Sequence, residues 1–403
     1  MAQGRAVLAR ALGLERNVAV LGASLFLLGL GEELWQAYLP KYLLSLGASG
    51  LVVGLFASCK DLLDGLYQYP GGWAGDRLGR RGALALFTAL ATAGYLVYAL
   101  AQHWAWMFLG LLLVMAWKAG AFPTTFTVIG EALPPGRRAI AFSVQSVLVR
   151  LPRVIGAPLG GLLIAGLGLV AGVRVACLVT VGIGLVVLAI QRWSDRDGAP
   201  VSRAPCDAGH ATLPPALRRL LIADCLVRIG EGIGAAFIVL YVTGPLGRSV
   251  LTFGALYALQ QSVAIASYLP GGKLAGRMGS GPLVALTFVF FALFPLGVRF
   301  ADSSLALIGA FVVGGLREIG EPARKSLIVD SADAERRGRT VGLYYTIRNL
   351  VVVPAGVLGG VLWQISPRLP LEVAFAVGML GMLVFLFTQR GRSRHEWVTG
   401  ESA

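Results

Sequence analysis

The chain has 403 residues, of which 56% are hydrophobic and 14% charged, with a mean hydropathy of +0.73. Soluble domains carry about 25% charged and 45–50% apolar residues, so a soluble enzyme is excluded, as is a collagen-like or disordered chain, because the 54 glycines follow no period. A net charge of +14 would suggest nucleic acid in a soluble protein, but here the placement of the basic residues decides.

The first apolar segment begins after Arg16 and runs past Tyr42, longer than the core of a cleaved signal, and reads as a membrane helix. Further apolar runs, read against their breaks, place spans at 17–44, 49–73, 82–101, 106–131, 139–166 and 170–191. After a polar stretch come 217–243, 250–274, 281–300, 304–330, 338–366 and 370–389. The expected organisation is a six-helix half over 1–191, a cytoplasmic linker over 192–216, a second half over 217–389 and a cytoplasmic tail over 390–403. The class is all-α integral membrane, with twelve transmembrane helices.

With both termini cytoplasmic, the tails and the loops on that side hold most of the basic residues, including Arg77, Arg80, Arg81, Arg137, Arg138, Arg336, Arg337, Arg390 and Arg392. The opposite loops hold only Arg174, Arg248, Arg299 and Arg368. This is the positive-inside pattern, so the basic charge implies a membrane and lipid headgroups, not nucleic acid. Cys59, Cys177, Cys206 and Cys225 are scattered, and His103, His210 and His395 are far apart. No metal site, cofactor or catalytic constellation is expected, and no GxxxxGK[ST] loop supports an ATP-driven pump.

An internal repeat is legible. Gly31-Glu32 matches Gly230-Glu231, Tyr42 matches Tyr241, Lys118 matches Arg317, and Pro123 matches Pro322. Glu131 matches Asp330, Arg138 matches Arg337, and Gly160-Gly161 match Gly359-Gly360, all at an offset of 199. Two pseudo-symmetric six-helix bundles follow, an arrangement used by transporters with a site between the repeats.

Gly72-Trp-Ala-Gly-Asp76-Arg77-Leu-Gly79-Arg80-Arg81, placed between the second and third spans, resembles the loop signature G-x-x-x-D-[RK]-x-G-[RK]-[RK] of the major facilitator superfamily. In that loop Gly79 would permit a tight turn and the arginines would anchor at the cytoplasmic surface. Glu131-x6-Arg138 and Asp330-x6-Arg337 resemble the family's cytoplasmic charge latch, although surface charges beside headgroups would look the same. Gly156-Ala-Pro158-Leu-Gly160-Gly161 is similar to the helix-5 motif of drug/proton antiporters, with Ala157 and Pro152 as departures, and close packing of small residues accounts for it equally well. The resemblance implies a twelve-helix secondary transporter working by rocker-switch alternating access, with helices 1, 4, 7 and 10 lining the path.

Charges at membrane depth are costly and usually face a protein interior or a water-filled path. Lys60/Asp64, Asp224/Arg228, Arg317/Glu321 and Glu321/Lys325 stand at i, i+4 spacing and read as pairs, whereas Glu32, Glu33, Lys118, Arg150, Arg153 and Arg348 stand alone on their helices. A carboxylate in a poorly hydrated cavity can load and release a proton near neutrality. Glu32 is therefore the leading proton-carrier candidate, with Glu33, Asp61 and Glu231 as alternates; a static acid–base bridge is the competing account. Lys118, Arg150, Arg317 and Gln36 are candidate substrate contacts, with Trp35, Tyr38, Trp117, Phe122, Tyr344 and Tyr345 as an apolar wall for an amphiphile, and Arg324 and Lys325 are read as snorkelling to the cytoplasmic surface.

The expected function is proton-coupled efflux of a small organic solute, by antiport, from a monomer in a bacterial cytoplasmic (inner) membrane. A symporter or exchanger of organic anions or lysophospholipid-like amphiphiles is the alternative, and a non-transporting membrane sensor is the alternative of another class.

Overall fold

The computed structural model describes residues 22–24, 26–117, 135–193, 213–330 and 337–396. Each of the twelve predicted spans contains helix, and no strand occurs among the described residues. The elements are α1 (26–33), a 3-10 turn Gln36–Tyr38, α2 (Leu39–Ser45), α3 (Gly50–Leu66), α4 (Gln68–Leu100), α5 (Trp104–Trp117), α6 (Pro135–Leu167) and α7 (Leu169–Trp193). They continue with α8 (Pro215–Thr243), α9 (Val250–Met278), α10 (Ser280–Arg299), α11 (Ser304–Leu316), α12 (Glu321–Asp330), α13 (Arg337–Val352), α14 (Pro354–Ile365) and α15 (Leu369–Glu396). Seven helices among the described residues are long and apolar enough to cross a bilayer. Leu162, Leu185, Leu305 and Phe387 point outward, the inverse of a soluble surface and the arrangement hydrocarbon demands.

The expected helix boundaries fail in one systematic way. Spans 17–44, 304–330 and 338–366 are interrupted, and the expected loop around Gly79 is helical within α4, the break falling at Tyr67 instead. Each break lies just ahead of a proline that lacks the N–H for the carbonyl four residues back: Pro40, Pro70, Pro322 and Pro354. The chain tightens there to i→i−3 bonds, as in Trp35 N to Glu32 O (3.2 Å), Glu321 N to Glu318 O (3.1 Å) and Val353 N to Leu350 O (3.3 Å). Pro70 sits in the first turn of α4, where the missing donor would have been unsatisfied in any case. Pro152 and Pro158, by contrast, lie inside α6, which continues through them.

The described residues within 1–47 and 66–205 form one compact unit, and those within 48–65 and 206–403 form another. In the first, α7 packs against α2, α4 and α6. In the second, α15 packs against α8 and α10, and α11 against α9 and α10. The core of that unit joins Leu217, Leu221 and Val227 on α8 to Phe288 and Phe291 on α10, Tyr344 on α13 and Phe385 on α15. Helix α3 meets α14 closely: a Cβ on Gly54 would lie 2.2 Å from the Gly356 carbonyl oxygen, and Val357 N–H donates to Ser58 Oγ at 3.0 Å.

The repeat is visible inside each unit. A Cβ on Gly160 would stand 1.8 Å from the Leu34 carbonyl oxygen, and one on the equivalent Gly359 would stand 2.3 Å from that of Ile233. Tyr42 Oη donates to the Tyr98 carbonyl, and its equivalent Tyr241 Oη to that of Arg299, both at 3.3 Å. The glycines of the helix-5 motif thus serve backbone-to-backbone approach. Gly160→Ala and Gly359→Ala are each expected to destabilise the detergent-purified protein by about 1–3 kcal/mol through overpacking. Melting temperatures equal to wild type for both would refute that reading.

Candidate functional site

Two groups of polar side chains occupy the helix interiors, one in each unit. In the first, the end of α1 carries Glu32 and Glu33 just before the 34–38 interruption. Glu32 is 5% exposed and accepts a hydrogen bond from Tyr95 Oη on α4 at 2.7 Å. Glu33 pairs with Arg153 on α6, whose Nε lies 3.1 Å from Glu33 Oε1. The interruption turns Trp35 and Tyr38 inward. Trp35 Nε1 donates to Thr180 Oγ1 at 3.2 Å and its ring packs on Tyr95 and Tyr98, while Tyr38 Oη donates to the Ala157 carbonyl. Both aromatic residues are fully buried in this conformation, whereas Gln36 and Arg150 are half-buried.

The second group is denser. Glu231 on α8 is held on both oxygens, by Arg228 Nη1 at 2.6 Å and by Arg317 Nη1 at 3.2 Å. Both guanidinium groups rest against Phe291, at 5.3 and 5.0 Å from its ring centroid, and Arg317 also meets Phe294 at 5.7 Å. Asp61 on α3 lies within electrostatic reach of Arg228 and Glu231.

Deeper in the same unit, Arg324 on α12 donates to Asp224 on α8 at 2.5 Å and forks onto Glu321 through Nε (2.9 Å) and Nη2 (2.8 Å). Tyr344 Oη on α13 donates to the same Asp224 oxygen at 2.9 Å. Arg348, one turn on, stacks on Tyr345 at 4.6 Å with Nη1 3.7 Å from Asp224. The interruption at 317–320 makes this arrangement possible, presenting Arg317 and Glu318 from the turn itself and Glu321 and Arg324 from the helix that follows. Its freed Gly320 N–H is taken up by Thr287 Oγ1 at 2.9 Å.

Several sequence expectations are corrected here. Lys60 and Asp64 form no ion pair within 4.0 Å of each other, among the described contacts. Asp224 pairs with Arg324 on another helix, and Arg228 pairs instead with Glu231 at i, i+3 on its own helix. Arg317 turns to Glu231, since the break between it and Glu321 removes the continuous helix on which that spacing depends. Glu321 and Lys325 do approach, at 3.8 Å. Arg324 does not snorkel: its side chain is 2% exposed and buried among acids, whereas that of Lys325 is 55% exposed. Arg153 and Arg348, which stand alone on their own helices, find acids on others.

Lys118, Phe122 and Glu131 lie outside the described residues. Gly72, Asp76, Arg77, Gly79 and Arg80 lie on α4, Arg138 on α6, Asp330 on α12 and Arg337 on α13, and their side chains likewise fall outside those described. Sequence reasoning missed Tyr95, Arg228 and Arg324 as site residues. Sequence spacing reads Arg228 only as the i, i+4 partner of Asp224 and Arg324 as snorkelling, and the repeat gives no signal for Arg324, whose counterpart in the first half is the uncharged Thr125.

The family model described as Major Facilitator Superfamily matches residues 21–222 and again 220–402, once over each repeat. The chain belongs to that superfamily. It is 24% identical over 391 residues to a protein named Multidrug resistance protein MdtG of Serratia proteamaculans, covering 92% of both chains. It is 20% identical over 381 residues to the uncharacterized MFS-type transporter MJ1317 of Methanocaldococcus jannaschii, covering 93% of this chain and 95% of that one. Among solved structures it resembles a POT family transporter in complex with a thioalcohol-conjugated peptide, at a TM-score of 0.76 and 14% identity over 94% of this chain and 96% of that one; this likeness concerns the fold. As a superfamily member the chain is an integral membrane transporter of small molecules, with the twelve-helix, two-bundle fold, and not an enzyme.

Proposed function

We propose that this transporter exports a small organic amphiphile in exchange for protons, by rocker-switch alternating access, as a monomer in a cytoplasmic (inner) membrane with both termini on the cytoplasmic side. The observation that carries the reading is Glu32, a carboxylate almost entirely withdrawn from solvent and held by a neutral tyrosine donor on a neighbouring helix. An ionisable side chain at membrane depth is costly to keep there and marks a functional path by default, with the gain and loss of a proton as the chemistry a carboxylate can supply. Support for export comes from the similarity to a protein named for multidrug resistance and from the helix-5 glycine motif.

The test uses everted membrane vesicles energised to an acidic interior, with the gradient reported by a fluorescent dye. Organic anions, lipophilic cations and lysophospholipids are added in turn. Collapse of the gradient by at least one class, absent from vesicles lacking the protein, is the expected result. A gradient indifferent to every class would sink proton antiport.

A further inference from the structure

The buried Asp224–Arg324 pair is closed on itself, whereas the Glu231 cluster beside it is not. Side-chain exposures are 26% for Arg228, 22% for Glu231 and 19% for Arg317, against 2% and 1% for Arg324 and Asp224. The cluster therefore meets space that a solute or water reaches. One carboxylate there serves two guanidinium groups, each of which has five donors in a planar fork. Arg348 lies within electrostatic reach of both Arg228 and Glu231, and its Nη1 is a buried donor without a hydrogen-bond partner. A buried donor left unmade costs about 1–3 kcal/mol; Asp224, 3.7 Å from that Nη1, is already engaged by Arg324 and Tyr344, and the other Arg348 nitrogens go to Asn349.

From this geometry we infer that Arg228, Arg317 and Arg348 form the anion-binding subsite of the transported solute, which takes a single carboxylate-type negative charge on an aromatic or otherwise apolar body. Phe291 and Phe294 hold Arg228 and Arg317 in place through their ring faces, so the donors stay aimed when Glu231 yields. Glu231 acts as the resident stand-in for the ligand's carboxylate. Glu318, whose Oε1 lies 3.8 Å from Arg317 Nε, and Asp61 on α3, within electrostatic reach of Arg228, add negative charge beside the cluster. They set the limit at one negative charge and disfavour a dianion such as a phosphate monoester. The inference rests on the reading that the chain carries a small organic solute, and it names that solute's charged group.

The test is equilibrium binding to the full chain purified in detergent, with no gradient imposed. The probes are 2-naphthoate, its neutral isostere 2-naphthamide, and naphthyl phosphate. Naphthoate is expected to bind at least about tenfold more tightly than the amide, the value of one charge-assisted hydrogen bond, and more tightly than the phosphate. Arg317→Gln and Arg228→Gln should erase that preference. Glu231→Gln should strengthen naphthoate binding, because the competing carboxylate is gone; a gain of affinity cannot come from misfolding. Equal binding of naphthoate and naphthamide, no naphthoate binding, or unchanged or weaker binding in Glu231→Gln would overturn the subsite. Gradient collapse by lipophilic cations without naphthoate binding would sink the subsite and leave proton-coupled export standing. Naphthoate binding without gradient collapse would do the reverse.

Discussion

Arg324→Ala is expected to be the most damaging single substitution in the second unit, lowering stability by about 3–5 kcal/mol, the usual cost of removing one partner of a buried ion pair. Arg324 satisfies two acids on two helices, Asp224 on α8 and Glu321 at the start of α12. Without it, two carboxylates would remain with only longer ion contacts, Arg348 at 3.7 Å from Asp224 and the exposed Lys325 at 3.8 Å from Glu321. Asp224→Asn should cost less, because an amide oxygen still accepts from Tyr344 and Arg324, leaving one cation with Glu321 as its partner. The combination Asp224→Asn with Arg324→Gln should recover part of the loss, since removing both charges also removes the desolvation that each imposes. Thermal unfolding of the detergent-purified variants measures all three. If Arg324→Ala melts with the wild type, the network is ornamental to folding and the core of the unit lies elsewhere.

The helices were legible in the sequence because a bilayer leaves few choices: about twenty apolar residues must span it and every backbone donor must be met internally. The repeat was legible because Gly160 and Gly359 meet carbonyl oxygens at equivalent positions, a constraint that only glycine satisfies in both halves. The interruptions at 34–38, 317–320 and 353 were written in Pro40, Pro322 and Pro354. Hydropathy passes straight over them, however, because the broken segments remain apolar. Charge pairing was the least legible layer. Helical spacing correctly linked Glu321 to Lys325, but it linked Arg317 to Glu321 across a break and left Arg153 and Arg348 alone. Their partners come from other helices, and no local pattern encodes which helix faces which. Tyr95 was invisible for the same reason: a tyrosine in a long apolar helix carries no mark of the carboxylate it will meet.

Glu32→Gln is expected to abolish solute-driven collapse of the proton gradient while leaving solute binding within about twofold of wild type, a change of less than 0.5 kcal/mol. The substitution is nearly isosteric, and the amide oxygen can still accept the Tyr95 hydroxyl that now reaches Glu32 Oε1, so the packing of α1 against α4 should survive. What disappears is the only chemical property that the proposed role requires, the gain and loss of a proton. Tyr95→Phe provides the complementary variant. It removes the donor and keeps the carboxylate, so gradient collapse should persist at a reduced rate. Glu33→Gln separates the neighbours: Glu33 is committed to Arg153 at 3.1 Å, and its loss should lower stability more than coupling. If Glu32→Gln collapses the gradient at the wild-type rate, Glu32 is a structural acceptor for Tyr95. The coupling role would then pass to Glu231 or Asp61, the remaining acids that meet partly exposed space.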